Sequence, residues 1–590
     1  MMIVSACASG YDASPFGMNG LNPIHGRQDP NVFANAERTA KIMKDPGMYW
    51  ARLELWWGVV EPEQGNFDWS FTDKVAKLYR DQGMNGMCLL CYSSAWSGKP
   101  PADDAERARY ANYVYQMVSR YKDTFKVWEI WNEPNIPSFW PEPNVRDYTL
   151  MLIEAYKAAK KADPTCAILA ASTSGPDLDF IKGIRANGGW DYCDGISIHP
   201  YSMFGGPLQQ RLDKTLRMHQ EFMVSGLKSQ GSESKPGRPG TRNLQPETLQ
   251  PETLNPKPLW ITEMGWTSRN PHQDRDQAIA LTQSYVISLA NGVEKLFWFC
   301  LDDWGERWGV VRGNDPFDPK PSYTAYQNLT RALGSPGKCA EFEGWLRMPL
   351  GVACYVFKNS DTQRTLILWS SDNRARTVRF SHRMRSWRMK DILGRPVDTE
   401  GDGIRVGAMP VVITQVGASH IGPASRAFNP YLERKGQNLI INGSMESLNS
   451  GGGADWWNPG RFEGSAKDGK MATVAGGRRG KCISISQSGE RAAYDQGPIP
   501  VDVGKTYRLT GWIKTENATG NNQIAFFFYS GNMWTYQREI RSENITGTRG
   551  WTRVSVEAKV PEGTTFVRVN LISEKNTGTT WFDDIALVEL

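Results

Sequence analysis

Val127-Trp128-Glu129-Ile130-Trp131-Asn132-Glu133-Pro134-Asn135 reads as a buried strand that stops abruptly at Asn-Glu-Pro. Aromatic and branched side chains favour an extended, buried chain, and proline cannot continue a hydrogen-bonded ladder. A carboxylate wedged between an amide side chain and a proline at a strand's C-terminal end is an odd thing to build for packing. It suits a proton donor.

The surroundings repeat one rhythm. From about residue 16 to 333, short apolar runs alternate with stretches of helical period, the signature of βα units on a parallel sheet. Strands are predicted at 16–21, 49–55, 86–91, 126–131, 167–171, 195–199, 259–262 and 295–299. Helices are predicted at 32–44, 71–81, 103–121, 145–162, 178–186, 208–224, 275–290 and 323–333. Eight of each over roughly 320 residues suit a (β/α)8 TIM barrel, placed at 12–335. A doubly wound sheet is the alternative, but no glycine-rich phosphate turn follows the first strand.

One segment breaks the rhythm. Residues 237–258 are proline-rich and carry Gln245-Pro246-Glu247-Thr248-Leu249 directly followed by Gln250-Pro251-Glu252-Thr253-Leu254. Excising them leaves an ordinary lead-in to a strand, so they read as a disordered insertion.

Beyond Gly334 the period falls to two, with frequent turns. Residues 336–418 form a small β-sandwich domain, 419–437 a polar linker, and 438–590 a β jelly roll. The fold class is therefore multidomain.

Composition narrows the function. A net charge of +5 on 590 residues gives no reason to expect nucleic acid or an anionic membrane as partner. No apolar run reaches transmembrane length. The N-terminus lacks a complete signal peptide, although Val4-Ser5-Ala6-Cys7 looks like the tail of a bacterial lipoprotein signal, so a secreted or cell-surface location is expected. Nine cysteines, an odd number, argue against a fully paired disulfide framework. Cys88 and Cys91 form a C-x-x-C inside an apolar run with no second ligand cluster, which argues against metal. The chain holds 23 tryptophans, and flat rings can stack on the apolar faces of sugars.

Cleaving a glycosidic bond takes two carboxyl groups, one to protonate the leaving oxygen and one to act as nucleophile or base. Glu133 is the first candidate. The second should end another strand, because barrel active sites are built at that face. Glu263 in Leu259-Trp260-Ile261-Thr262-Glu263-Met264-Gly265-Trp266 meets the condition. The two carboxylates close the fourth and seventh strands.

Trp131-Asn132-Glu133-Pro134 and Trp260-Ile261-Thr262-Glu263 resemble the acid/base and nucleophile signatures of clan A retaining glycoside hydrolases. Family 39 of that clan is the nearest resemblance and family 5 the second, over about two-thirds of the chain. The resemblance implies a β-glycosidase working by double displacement on a polysaccharide or oligosaccharide, with no cofactor for catalysis. Arg52 resembles the arginine that supports the nucleophile, and Asn132 the residue that binds the sugar 2-hydroxyl. His199 resembles a pocket-lining histidine, Tyr201 the tyrosine that orients the nucleophile, and Trp298 the aromatic floor under the scissile sugar. Trp96, Trp140, Trp304 and Trp308 fall in predicted βα loops that could add subsites. A non-catalytic carbohydrate-binding protein on a dead barrel and a clan A transglycosylase stand as alternatives.

The last region resembles jelly-roll carbohydrate-binding modules, through Asn442-Gly443-Ser444-Met445-Glu446 and Trp581-Phe582-Asp583-Asp584. That resemblance implies one structural Ca2+, with Glu446 and Asp584 as ligands suited to a hard ion. Trp456, Trp457, Tyr529, Trp534 and Tyr536 are its candidate sugar contacts.

Overall fold

The computed structural model describes the chain outside residues 1–10, 202–207, 226–255, 304–306, 315–316, 335–338, 350, 372–374, 381–386, 401–402, 432–435, 437, 441, 447, 449–451, 455–456, 462–469, 479 and 531–534. The four-residue motif at the N-terminus, Trp304, Trp456, Trp534 and nearly all of the proline-rich insertion lie outside the described residues.

Eight parallel strands close into a barrel in sequence order. They are β1 (Phe16–Asn19), β2 (Trp50–Trp56), β3 (Asn85–Cys91), β4 (Val127–Ile130), β5 (Ala167–Ser174), β6 (Gly195–His199), β7 (Leu259–Met264) and β8 (Val293–Phe299). The helices are α1 (Val32–Lys44), a single turn α2 (Trp57–Val60), α3 (Ser70–Gln82), α4 (Asp104–Tyr121), α5 (Val145–Ala162), α6 (Leu178–Ala186), α7 (Leu208–Ser225), α8 (Pro271–Ala290) and α9 (Pro321–Leu333).

Strand alternation divides the barrel into an inside and an outside. Trp50, Met87, Val127, Ala167, Leu169, Trp260 and Phe297 fill the inner layer at the N-terminal end, capped by Tyr11. Lys295 stands among them, its ammonium donating to the Asp12 and Ser14 carbonyls and facing the Tyr11, Trp50 and Trp260 rings. The opposite parity, including Ala51, Leu53, Leu55, Leu296 and Trp298, packs outward against the helices.

At the C-terminal face the ladder ends and strand carbonyls need other donors. Buried helix tyrosines supply them. Tyr113 donates to Leu55 O at 2.6 Å, Tyr110 to Leu90 O at 2.7 Å and Tyr148 to Ile130 O at 3.1 Å. The Tyr148 hydroxyl also accepts from Ala171 N at 2.9 Å, so one side chain fixes the ends of β4 and β5 together.

The second unit is a five-stranded sheet facing a three-stranded one. The outer face of the larger sheet, with Phe342, Tyr355, Phe357 and Trp369, belongs to the barrel's own apolar cluster. The expected polar linker is tied down as well. Tyr431 is buried with its hydroxyl 2.9 Å from that of Tyr355, and Asn429 donates to Asp213 on α7. The composition of 419–437 is polar, but these side chains dock rather than span.

Two five-stranded antiparallel sheets form the last unit around Ile483, Leu509, Phe526, Phe528, Val569 and Phe582. Lys214 of α7 reaches this unit, donating to Val501 O at 2.6 Å.

Candidate active site

Arg52 points into the barrel from β2 and is 4% exposed. Its Nε donates to Glu129 Oε2 at 2.9 Å, its Nη2 to Asn132 Oδ1 at 2.9 Å, and its Nη1 to Glu263 Oε1. The rigid fork of donors thus ties β4 to β7. Burial pulls the guanidinium pKa down, yet the charges of Glu129, Glu263 and Glu54 outweigh it and hold it far above the usual arginine range. Burial would likewise raise the Glu129 carboxyl; Arg52, with His199 behind it, holds it below the ordinary value. Because arginine can only donate, Asn132 must present its oxygen to Arg52, which turns its NH2 the other way.

Glu133 follows with φ 42°, and Trp131 two residues earlier has φ 65°, both left-handed. Such conformations cost about 1–3 kcal/mol each and gather at functional sites. The neighbouring strand meets them: β5 slips its register between Ala171 and Thr173, with Ala171 at φ 81° and Ser172 at φ 44°. That slip brings Ser172 O to accept the Glu133 N–H at 2.9 Å. This backbone hydrogen bond fixes the chain at Glu133, and His199 meets its carboxylate.

His199 ends β6 and is wholly buried. Its Nδ1 lies 2.9 Å from Glu133 Oε1 and 3.8 Å from Glu263 Oε2. Its Nε2 lies 3.0 Å from Thr262 Oγ1 and 3.2 Å from Ser172 Oγ. Tyr201 donates to Glu263 Oε2 at 2.9 Å, and burial together with that negative charge keeps its phenol well above the ordinary pKa. Glu263 is held on β7 by a tight crossing. A Cβ on Gly265 would fall 1.9 Å from Phe299 O, so β7 and β8 approach this closely only with glycine there.

One oxygen of Glu133, one of Glu263 and a ring nitrogen of His199 all lie within 4.8 Å of one another. The three have the donor types of a metal centre. Arg52, however, already places a fixed positive charge on Glu263, which repels a second cation there.

Arg52, Asn132, Glu133, His199, Tyr201 and Glu263 therefore converge. The tryptophans do not all follow. Trp298 has no exposed surface and faces the helices with Leu296, while Phe297 and Lys295 hold the inward parity. The aromatic at the site from β8 is Phe299, edge-on to Tyr201 at 6.0 Å, with Trp308 edge-on to Tyr201 at 5.4 Å. Trp140 is buried against Trp131 and Tyr148 rather than lining a subsite. Trp96 packs on Trp57 and donates to Glu61 O at 2.8 Å.

Sequence reasoning missed Glu129, Glu54, Tyr92 and Phe299. Glu129 carried a signal: a lone charge inside a buried strand needs a partner, and Arg52 is the lone cation of β2.

In the last unit Arg478 pairs with Asp584 at 2.7 Å, and Glu446 accepts the Lys481 N–H at 2.8 Å. Among the described residues neither belongs to a three-ligand cluster. Trp457 is buried, donating to Asn442 O, whereas Tyr536 is 52% exposed beside Tyr529.

Residues 24–171 match the family model Glycosyl hydrolase family 10. That stretch runs from the first βα connection into β5 and includes Glu133. An "Endo-1,4-beta-xylanase/feruloyl esterase" of Xylanibacter ruminicola is 23% identical over 200 residues, 28% of this chain and 27% of that protein. A "Thermostable celloxylanase" of Thermoclostridium stercorarium is 26% identical over 148 residues, 20% of this chain and 38% of that protein. The matches thus span well under half of either relative. A solved family 39 glycoside hydrolase from Bacteroides cellulosilyticus WH2 superposes with TM-score 0.53 at 20% identity, covering 65% of this chain and 78% of that one. The superposition shows a shared barrel fold. Among the described residues no helix is long and apolar enough to cross a membrane.

Proposed function

We propose that the chain is a retaining β-glycosidase in which Glu263 is the nucleophile and Glu133 the acid/base. The observation that carries the reading is the closeness of the two carboxylates, one oxygen of each lying within 4.8 Å of the other. Retaining enzymes hold their carboxyls about 5–5.5 Å apart, whereas inverting ones leave about 6.5–9.5 Å for a water.

The division of labour follows from the partners. Glu263 has a donor on each oxygen, Arg52 on Oε1 and Tyr201 on Oε2. A carboxylate so fixed is oriented for attack at an anomeric carbon. Glu133 has the imidazole on Oε1. When His199 Nδ1 donates there, Oε2 is the oxygen left to carry a proton to the leaving group. After glycosyl transfer to Glu263, the same oxygen takes a proton from water, which releases the sugar. Asn132, its oxygen committed to Arg52, turns its NH2 toward the sugar 2-hydroxyl.

The xylan-directed names of the two sequence relatives support β-xylosides and xylan fragments as the first substrates to try. Secretion or surface display fits a polysaccharide substrate. A dead barrel is disfavoured because both carboxylates and their donors are in place.

The test is an aryl β-glycoside panel with the intact chain, Glu133→Ala and Glu263→Ala. Retention predicts that azide restores Glu133→Ala by forming the β-glycosyl azide, and that Glu263→Ala with azide yields the α-azide. Hydrolysis untouched in Glu133→Ala would overturn the assignment.

A further inference from the structure

Glu54 is a carboxylate at the barrel mouth to which the double displacement gives no task. Strand β2 turns Trp50, Arg52 and Glu54 inward in alternation, and two residues of strand advance about 6.6 Å. Arg52 is pinned to Glu129, Asn132 and Glu263, so Glu54 lies one layer above the catalytic groups, toward the opening. A sugar seated on Glu263 would occupy that layer.

The surroundings of Glu54 keep it charged. Its Oε1 lies 3.1 Å from His25 Nε2, and its Oε2 accepts the Trp56 indole Nε1–H at 2.6 Å. Burial would raise its pKa, but the bond to His25, the Trp56 donor and the Arg52 charge bring it below the ordinary value. The side chain keeps 17% of its surface, while His25 stands 56% exposed at the rim. Arg27 covers the Trp56 ring at 4.9 Å, completing a wall of the opening. Tyr92 stacks on Phe139 and meets Trp131 edge-on.

An ionised carboxylate accepts through about four lone-pair directions. His25 and Trp56 use one on each oxygen, which leaves one on each. We propose that Glu54 is the specificity-determining group of the glycon pocket. It accepts hydroxyls of the sugar remote from the anomeric carbon, and its charge excludes uronic acids. This deepens the glycosidase reading and rests on it: the substrate class becomes a neutral pyranoside with free hydroxyls on that side of the ring.

The experiment compares kcat/KM for the intact chain, Glu54→Gln and His25→Ala on 4-nitrophenyl β-xyloside and β-glucoside, their 3-deoxy and 4-deoxy analogues, and the β-glucuronide. Hydrogen bonds to a charged group are lost with about 10- to 100-fold in rate. The intact chain should lose that factor on at least one deoxy sugar. Glu54→Gln should lose most of it on the parent sugar and little more on deoxygenation. The glucuronide-to-glucoside ratio should rise at least about tenfold in Glu54→Gln, a change that misfolding alone would not produce. His25→Ala, which keeps the carboxylate, should retain the deoxy penalty. If circular dichroism shows Glu54→Gln unfolded, Glu54→Asp carries the same comparison. Turnover with an undiminished deoxy penalty and an unchanged uronide ratio would overturn the assignment of Glu54 alone. No turnover of any sugar by the intact chain would overturn the glycosidase reading and this inference with it.

Discussion

His199 Nδ1 lies 2.9 Å from Glu133 Oε1, and the imidazole that makes this contact is wholly buried. Its other nitrogen faces the hydroxyls of Thr262 and Ser172, groups that serve either tautomer because each can donate or accept. His199 can thus stay hydrogen-bonded through both halves of a double displacement. Removing it should hurt the step that needs proton donation. His199→Ala and Glu133→Ala should both slow phenyl glycosides by about 10²–10⁴, while sparing 2,4-dinitrophenyl glycosides, whose leaving group needs no proton. A series of aryl leaving groups checks this through the slope of log kcat/KM against phenol pKa.

Tyr201 isolates one hydrogen bond. Tyr201→Phe keeps the ring that meets Phe299 and Trp308 and removes only the O–H on Glu263 Oε2. A bond to a charged group corresponds to about 10- to 100-fold, expected here in kcat/KM with the melting temperature nearly unchanged. Steady-state kinetics alongside calorimetry separates the two.

Glu129 links the site to pH stability. Burial would raise its folded pKa, but Arg52 holds it below the ordinary glutamate value, so its charge stabilises the folded chain above that value. The contribution is lost as pH falls through the lower folded value. Glu129→Gln removes one of the two carboxylates paired with Arg52, leaving Glu263, and should cost about 1.5–3 kcal/mol at neutral pH. Its stability should then fall less steeply than that of the intact chain below pH ~4.5. Urea unfolding at pH 7 and at pH 3–4 measures both effects.

The tryptophans show how far the sequence can be read. Helices at 32–44, 145–162 and 178–186 are legible because a surface helix carries one apolar stripe at period 3.6. Parallel barrel strands are apolar on both faces, so nothing in Leu296-Phe297-Trp298-Phe299 tells inward from outward. The register slip between Ile261 and Met264 on β7 moves the count as well. The carboxylates escaped this ambiguity, since charges at strand ends have only the mouth to face. Trp298→Phe should accordingly lower the melting temperature with KM unaltered, whereas Trp308→Ala should raise KM several-fold. The reverse pattern in kinetics and calorimetry would put Trp298 in the pocket.

Lys295, at the opposite end of the barrel, offers a test of the inner packing that is independent of catalysis. Burial brings its pKa down to about 8 from 10.5, despite the nearby Glu294 and Asp12. Its ammonium holds the Asp12 and Ser14 carbonyls against the barrel floor. A lysine with a lowered folded pKa is more readily protonated in the unfolded chain. Between pH 8 and 10.5 the unfolded state therefore binds more protons, and stability contributed by this group rises with pH. Buried tyrosines such as Tyr285 and Tyr326, whose folded pKa values are raised, act in the opposite sense once unfolded phenols ionise near pH 10. Buried thiols such as Cys88, Cys91 and Cys354 act in that opposite sense earlier, because burial raises their folded pKa values while unfolded thiols ionise near pH 8.5. Lys295 is therefore read as a difference between two chains: from pH 8 to about 9.5 the urea midpoint of Lys295→Met, which keeps the stem but not the charge, should fall more steeply than that of the intact chain. Equal slopes in the two would show that Lys295 contributes nothing to the pH dependence.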